Sequence, residues 1–154
     1  LFRSFVLELE FKVDPKLNSG VQIRSQCFDK PTSVQAAGKA KSVPAGRVHG
    51  YQVEIDPSDR AWTAGTYDEA RRGWLNDLKN NEAACKAFKQ GEWNKLRVEC
   101  RGDSIKTWLN GVPAADLKDS MTPKGFIALQ VHGVKANAKP MEVRWRDIRI
   151  QEIP

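Results

Sequence analysis

A chain of 154 residues suits one domain with a single sizeable core. Its hydrophobic fraction of 40% and charged fraction of 29% are ordinary for a globular protein. No apolar run approaches the roughly 20 residues of a membrane-spanning helix. The net charge of +6 comes from 25 Lys and Arg against 19 Asp and Glu spread along the chain. No recognisable module gathers them into a basic stripe, so nucleic acid is not an expected partner. The chain opens at Leu1 without a Met, as it would if a leader or a first strand had been cut away, so the lack of a signal peptide in it says nothing about compartment.

In chain order, "FVLELEFKV" places Phe5, Leu7, Leu9 and Phe11 on one face and Glu8, Glu10 and Lys12 on the other. That alternation predicts a half-buried antiparallel strand. "DPKLNSG" is turn chemistry, with Pro15 and Gly20. "VQIRS" is strand-like again, and the Pro-, Gly-, Ala- and Lys-rich segment Asp29 to Val48 reads as a long loop. "GYQVEID" alternates Tyr51, Val53 and Ile55 with Gln52, Glu54 and Asp56, and Pro57 ends it. "SDRAWTAGTYDEARRGWL" reads as irregular and aromatic-rich, and "NDLKNNEAACKAFK" as one short helix. Strands resume in "WNKLRVECRG", "SIKTWLNG", "GFIALQVHG" and "MEVRWRDIRIQEI", with hairpin signals at "RGDS" and Asn110-Gly111. In the last strand Arg144 and Arg146 alternate with Val143 and Trp145, as on a solvated outer face. Many short strands with close turn signals predict a single-domain all-β sandwich or jelly roll over residues 1–154.

The cysteines are Cys27, Cys85 and Cys100, with no CxxC pair and no zinc-ligand spacing. Cys100 ends the alternation Leu96, Val98, Cys100 and is expected in the core. Cys27 and Cys85 lie near loops, either as a pair in an oxidising compartment or as free thiols.

Three strands carry unusual polar faces. They present Gln22 and Arg24; Gln52, Glu54 and Asp56; and Gln130 and His132. These are directional hydrogen-bonding groups, unlike the plain outward Arg97, Arg101 and Lys106 of other strands. A concave sheet lined this way suits sugar hydroxyls, each donor and acceptor at once. Trp62, Tyr67 and Trp74 could supply a platform for the apolar face of a pyranose ring. For any one residue, half-exposed sheet surface is the plainer reading. The three strands together favour a saccharide cleft.

The series "NSGVQIRS", "GYQVEID", "TAGTYDEARRGWL", "GEWNKLRVECRGDSIKTWLNGV", "GFIALQVHG" and "VRWRDIRI" resembles the 3-keto-disaccharide hydrolase domain family across nearly the whole chain. The resemblance implies a concanavalin A-like jelly-roll sandwich of two antiparallel sheets with one short helix. It implies bacterial, periplasmic or secreted proteins that cleave glycosides oxidised at C3. It also implies an additional strand with a "GW" element ahead of Leu1. The family tends to read Glu then Gln on the central strand, where this chain has Gln52 then Glu54. That exchange moves the charge by about 7 Å along one face.

A 3-keto group acidifies the C2 proton, so a base can remove it and the glycosidic oxygen can leave. His132 is the expected proton-transfer residue. Glu54 would orient it or act as acid, and Arg24 would hold the enolate oxygen. Gln22, Gln52, Asp56, Tyr67, Trp74 and Gln130 would bind substrate. His49 is a second proton-transfer candidate. No cofactor is expected. A divalent metal is a further possibility, since Asp56, Glu54 and His132 could converge, although no ligand spacing demands one. Two rivals stand beside this reading: a non-catalytic carbohydrate-binding module, and a two-carboxylate glucanase suggested by "EIDPSD". The oligomeric state is not read from the sequence.

Overall fold

The alternation read from the sequence translates directly into two packed sheets. The computed structural model describes residues 1–154. The elements run β1 (Phe5–Val13), β2 (Ser19–Gln26), β3 (Thr32–Ala36), β4 (Lys39–Val43), β5 (His49–Ile55), β6 (Thr66–Glu69) and β7 (Gly73–Asn76). They continue with α1 (Glu82–Ala87), β8 (Asn94–Arg101), β9 (Ser104–Leu109), β10 (Val112–Lys118), β11 (Phe126–Val131) and β12 (Val143–Glu152). One antiparallel sheet is ordered β10-β9-β8-β1-β12 and the other β11-β2-β5-β6-β7. Phe5, Leu7, Leu9 and Phe11 of β1 meet Val21, Ile23, Tyr51, Val53 and Ile55 in one core between the sheets. Cys100 is buried there as expected. No helix is long and apolar enough to cross a membrane.

Three segments differ from the sequence reading. The stretch read as one long loop, Asp29 to Val48, contains the β3–β4 hairpin. Its turn is Ala37-Gly38, both at positive φ (51° and 78°), the geometry of a two-residue primed turn. Ala stands where Asn or Asp would have announced it. The aromatic-rich stretch also holds a hairpin, β6–β7, of two four-residue strands too short for alternation to show. The third is β10, "VPAADLK", a strand the sequence reading did not name and whose pairing with β9 is broken by an irregularity. Of the two alternatives for the cysteines, Cys27 and Cys85 are free, and the Cys85 thiol lies 3.4 Å from the Leu78 carbonyl. The helix is where it was expected but spans only six residues, capped by the Asn81 side chain accepting from the Ala84 amide.

The outer face of the first sheet carries paired charges. Arg97 reaches Glu8 at 3.2 Å and Glu99 at 3.1 Å, and Arg146 sits 4.0 Å over the Trp93 ring. This is the solvated face expected of the Arg-rich closing strand. Under the second sheet lies a buried ionic cluster. Asp68 accepts from Arg71 and Arg72, and Arg72 also reaches Asp119. The Tyr51 hydroxyl donates to Asp119. Burial, followed by that bond, pushes the Tyr51 phenol up to about 12. The cluster ties the β6–β7 turn to the segment leading into β11.

Arg24 is a correction to the sequence reading. A β-bulge interrupts β2 in its register with both neighbours, and Arg24 sits at φ 45° within it. The bulge turns its side chain away from the Gln22 face. Arg24 is wholly buried, with Nε donating to the Arg3 carbonyl at 2.7 Å and Nη1 to the Gly102 carbonyl at 2.8 Å. Both acceptors belong to the opposite sheet's end, so Arg24 is a clamp between sheets. Truncating it to Ala removes both bonds and opens a void. We expect Arg24→Ala to lower unfolding stability by about 2–4 kcal/mol in urea titration. Saccharide affinity should stay within about twofold; a large affinity loss at unchanged stability would return Arg24 to the site.

Candidate functional site

Strand pairing sets side chains on the exposed face of the second sheet into rows. Ala128, Gln22, Gln52, Tyr67 and Trp74 stand opposite one another on β11, β2, β5, β6 and β7. The next row is Gln130, Gly20 and Glu54. Rows on one face lie about 7 Å apart, two residues of strand rise. Together they floor a cleft of about 800 Å³.

The floor is a directional hydrogen-bond chain. Gln22 and Gln130 each donate from Nε2 to Gln52 Oε1, the latter at 3.0 Å. Gln52 Nε2 donates to Glu54 Oε2 at 2.7 Å, and Asn18 Nδ2 donates to Glu54 Oε1 at 2.6 Å. Ser25 Oγ donates to Gln22 Oε1, which fixes the amide orientation at the start of the chain. Every bond thus runs toward the Glu54 carboxylate. Gly20 makes this possible: a Cβ there would come within 2.7 Å of Gln52 Cγ, so only Gly leaves room for the Gln52 side chain. Glu54 is 6% exposed. Burial pushes its carboxyl above the ordinary value, against the opposing pull of the Asn18 and Gln52 bonds.

One wall is aromatic. Tyr67 and Trp74 lie on strands of the sheet itself, edge to face with ring centroids 5.3 Å apart. Trp62 meets Trp74 in the same way at 5.0 Å. Trp74 crosses the backbone of Gly65, where a Cβ would lie 3.0 Å from Trp74 Cζ3. Arg60 rests on this wall, 4.6 Å over Trp62 and 5.2 Å over Trp74. At the rim Arg47 pairs with Glu69.

The cleft therefore gathers Gln22, Gln52, Glu54, Tyr67, Trp74, Gln130 and His132 from the sequence reading. His132 is exposed, just past the end of β11, with Nδ1 2.9 Å from the Gly133 carbonyl. That bond requires the proton on Nδ1 and leaves Nε2 open. Two expected residues lie elsewhere: Arg24, as described, and Asp56. Asp56 follows the last residue of β5 and is buried beneath the next loop. It accepts from the Ser58 amide and hydroxyl, from Arg60 Nε at 2.7 Å and from the Trp62 amide. Burial opposes its charge, but the Ser58 and Arg60 partners hold its carboxyl below the ordinary value. His49 is also buried, with its ring against Phe28. Asp56, Glu54 and His132 do not converge, and no cluster of three His, Cys, Asp or Glu side chains could hold a metal ion. The residues that sequence reasoning missed are Asn18, Arg47, Arg60 and Glu69. Arg60 carried a signal of its own, four residues after Asp56 and two before Trp62.

The two-carboxylate rival lacks a pair. Asp56 is committed to its loop. Glu69 stands opposite Gly50, four residues from Glu54 along β5. That is about 13 Å of strand, against the roughly 5–5.5 Å of a retaining pair.

Solved structures with the same fold include two proteins of Parabacteroides distasonis ATCC 8503 described as glycosyl hydrolases. The first is 20% identical with a TM-score of 0.56, covering 99% of this chain and 79% of its own. The second is 13% identical with a TM-score of 0.60, covering 99% and 71%. The carbohydrate-binding module CBM66 of Bacillus subtilis is 14% identical with a TM-score of 0.51, covering 97% and 76%. At these identities the likeness is one of fold, the jelly-roll sandwich. No curated protein sequence matches the chain. Residues 1–151 match the family described as the 3-keto-alpha-glucoside-1,2-lyase-like domain, and the chain belongs to that family.

Proposed function

We propose that the cleft binds a glycoside already oxidised at C3 and eliminates its glycosidic oxygen across C1 and C2. The observation that carries this reading is the hydrogen-bond chain ending on a desolvated carboxylate, Glu54, at the floor of the cleft. The family description, a 1,2-lyase-like domain, supports the same reaction class.

In this reading Glu54 accepts the C2 proton. Its position is fixed by Asn18 and Gln52, and burial makes its carboxylate a stronger base than an exposed one. The C2–H electron pair forms the C2=C3 bond and the carbonyl pair moves onto oxygen. The electrons then return, C1=C2 forms and the C1–O bond breaks. His132 Nε2, in the imidazolium form, gives a proton to the departing oxygen at the mouth of the cleft. This exchanges the roles expected from sequence: Glu54 lies on the cleft floor, fixed by Asn18 and Gln52, whereas His132 is exposed past the end of β11 and no hydrogen bond joins it to Glu54. Tyr67 and Trp74 offer an apolar wall to the sugar ring. Addition of water to the resulting enone would complete a net hydrolysis.

Glu54→Gln keeps size and polarity but cannot take the proton. We expect it to bind a 3-keto disaccharide, followed by tryptophan fluorescence, yet cleave it at least about a hundredfold more slowly. It should also lose exchange of the C2 hydrogen in D2O. His132→Gln should retain exchange while cleavage slows, because it acts after the proton is removed. Equal binding of oxidised and ordinary disaccharides by the wild type, with turnover of neither, would leave a binding module.

The Glu54 carboxyl also sets a pH dependence of stability. Its folded pKa is raised, so the folded state holds the proton more tightly than the unfolded chain does. Stability contributed by this group is intact below about pH 4.5 and is lost as pH rises through the raised folded value. Comparing urea unfolding of wild type and Glu54→Gln from pH 4 to 7 should show the wild type losing ground as pH rises. A constant difference would remove Glu54 from that linkage.

A further inference from the structure

Arg60 is an arginine whose hydrogen-bonding edge is left over. Its Nε is bound to Asp56 Oδ2 at 2.7 Å, and its guanidinium lies over the Trp62 and Trp74 rings. No hydrogen bond occupies Nη1 or Nη2 within the chain, and the side chain is 44% exposed. The other cation at the cleft, Arg47, is neutralised by Glu69. Arg24, the cation that sequence reasoning gave to the substrate, is spent between the sheets. Arg60 borders the same cleft as Glu54, and its charge acts on the Glu54 carboxyl.

The support beneath Arg60 is built. Asp56 is buried and takes hydrogen bonds from Ser58 and the Trp62 amide as well as from Arg60. It therefore holds the guanidinium by one edge. The two indoles restrict the guanidinium plane. A fork held in this way loses little freedom when its remaining N–H groups meet an oxygen. A permanent cation with free donors beside a proton-accepting carboxylate is what enolate formation requires: one group takes the proton, and the other meets the charge left behind.

We propose that Arg60 is the residue that holds the C3 oxygen of the 3-keto substrate through its Nη groups, stabilising the enolate formed when Glu54 removes the C2 proton. This rests on the functional reading above and adds the group that receives the developing charge. The ketone oxygen is neutral in the ground state and anionic in the enolate. Arg60 therefore acts mainly on rate and little on the binding of unoxidised sugar.

The test separates this role from the reading beneath it. Deuterium uptake at C2 of a 3-keto disaccharide in D2O, cleavage of the same compound and affinity for the unoxidised disaccharide are measured for wild type, Arg60→Gln, Arg60→Lys and Arg60→Ala. We expect Arg60→Gln to slow both exchange and cleavage about a hundredfold, with affinity for the unoxidised sugar changed less than about threefold. Arg60→Lys should fall between, since it keeps charge but loses the fork. Added guanidinium ion should restore part of the rate to Arg60→Ala. Exchange and cleavage by Arg60→Gln at wild-type rates would overturn the assignment while leaving the lyase reading intact. So would a parallel loss of affinity for the unoxidised sugar, which marks Arg60 as a ground-state contact. A wild type that neither exchanges nor cleaves overturns the functional reading and the assignment together.

Discussion

The central strand β5 is buried on both faces, and the rest of the site follows from that. It is third in a five-stranded sheet, and every residue from His49 to Ile55 is buried. One face meets the core through Tyr51, Val53 and Ile55, which water would never have solvated well. The other carries Gln52 and Glu54, whose burial is tolerable only if their polar atoms find partners. Those partners are Asn18, Gln22 and Gln130, all from the β2 side of the sheet or its edge. Gly20 is a consequence of the same constraint, since any side chain there would occupy the space through which Gln52 reaches its neighbours.

The constraint extends past the end of the strand. Asp56 is the next residue after β5 and remains buried, so the following loop must fold back to supply its hydrogen bonds. That fold brings Arg60 onto Trp62 and places Trp62 against Trp74. Trp74 in turn needs the bare backbone of Gly65 and the ring of Tyr67. A polar floor and an aromatic wall thus share one origin: the polar periodicity of a seven-residue strand and the acid that follows it.

Much of this was legible in sequence, and the gaps have physical causes. Period-two alternation identified β1, β2, β5, β8, β9, β11 and β12, because each is long enough for both faces to be read. The same rule placed Gln22, Gln52, Glu54 and Gln130 together correctly. It failed at Arg24, because a bulge breaks the period that the rule assumes, and nothing in "VQIRSQ" marks the break. It failed at Asp56, which keeps the parity of the strand but lies beyond its end. Tyr67 and Trp74 were expected as binding groups but read as loop residues, since four-residue strands show too little alternation. Arg60 was passed over because its importance comes from two indoles and a carboxylate that only the folded loop assembles.

The choice of a carboxylate at position 54 bears on whether the cleft merely binds. The chain Gln22, Gln52, Glu54 closes on an acceptor, and a neutral acceptor there would have met Asn18 or Gln52 without burying a charge. Burial raises the Glu54 carboxyl despite two hydrogen bonds, so at neutral pH this residue destabilises the fold relative to its unfolded reference. A binding module can recognise sugar hydroxyls with amides and need not carry that cost, although a carboxylate makes the stronger single hydrogen bond. A proton-transfer site gains directly, since the same desolvation moves the carboxyl toward the operating pH. Local destabilisation at one position of an otherwise satisfied network is the pattern expected where function, and not stability, decides the residue. By this argument the burial of Glu54 supports the proposed proton transfer at that position.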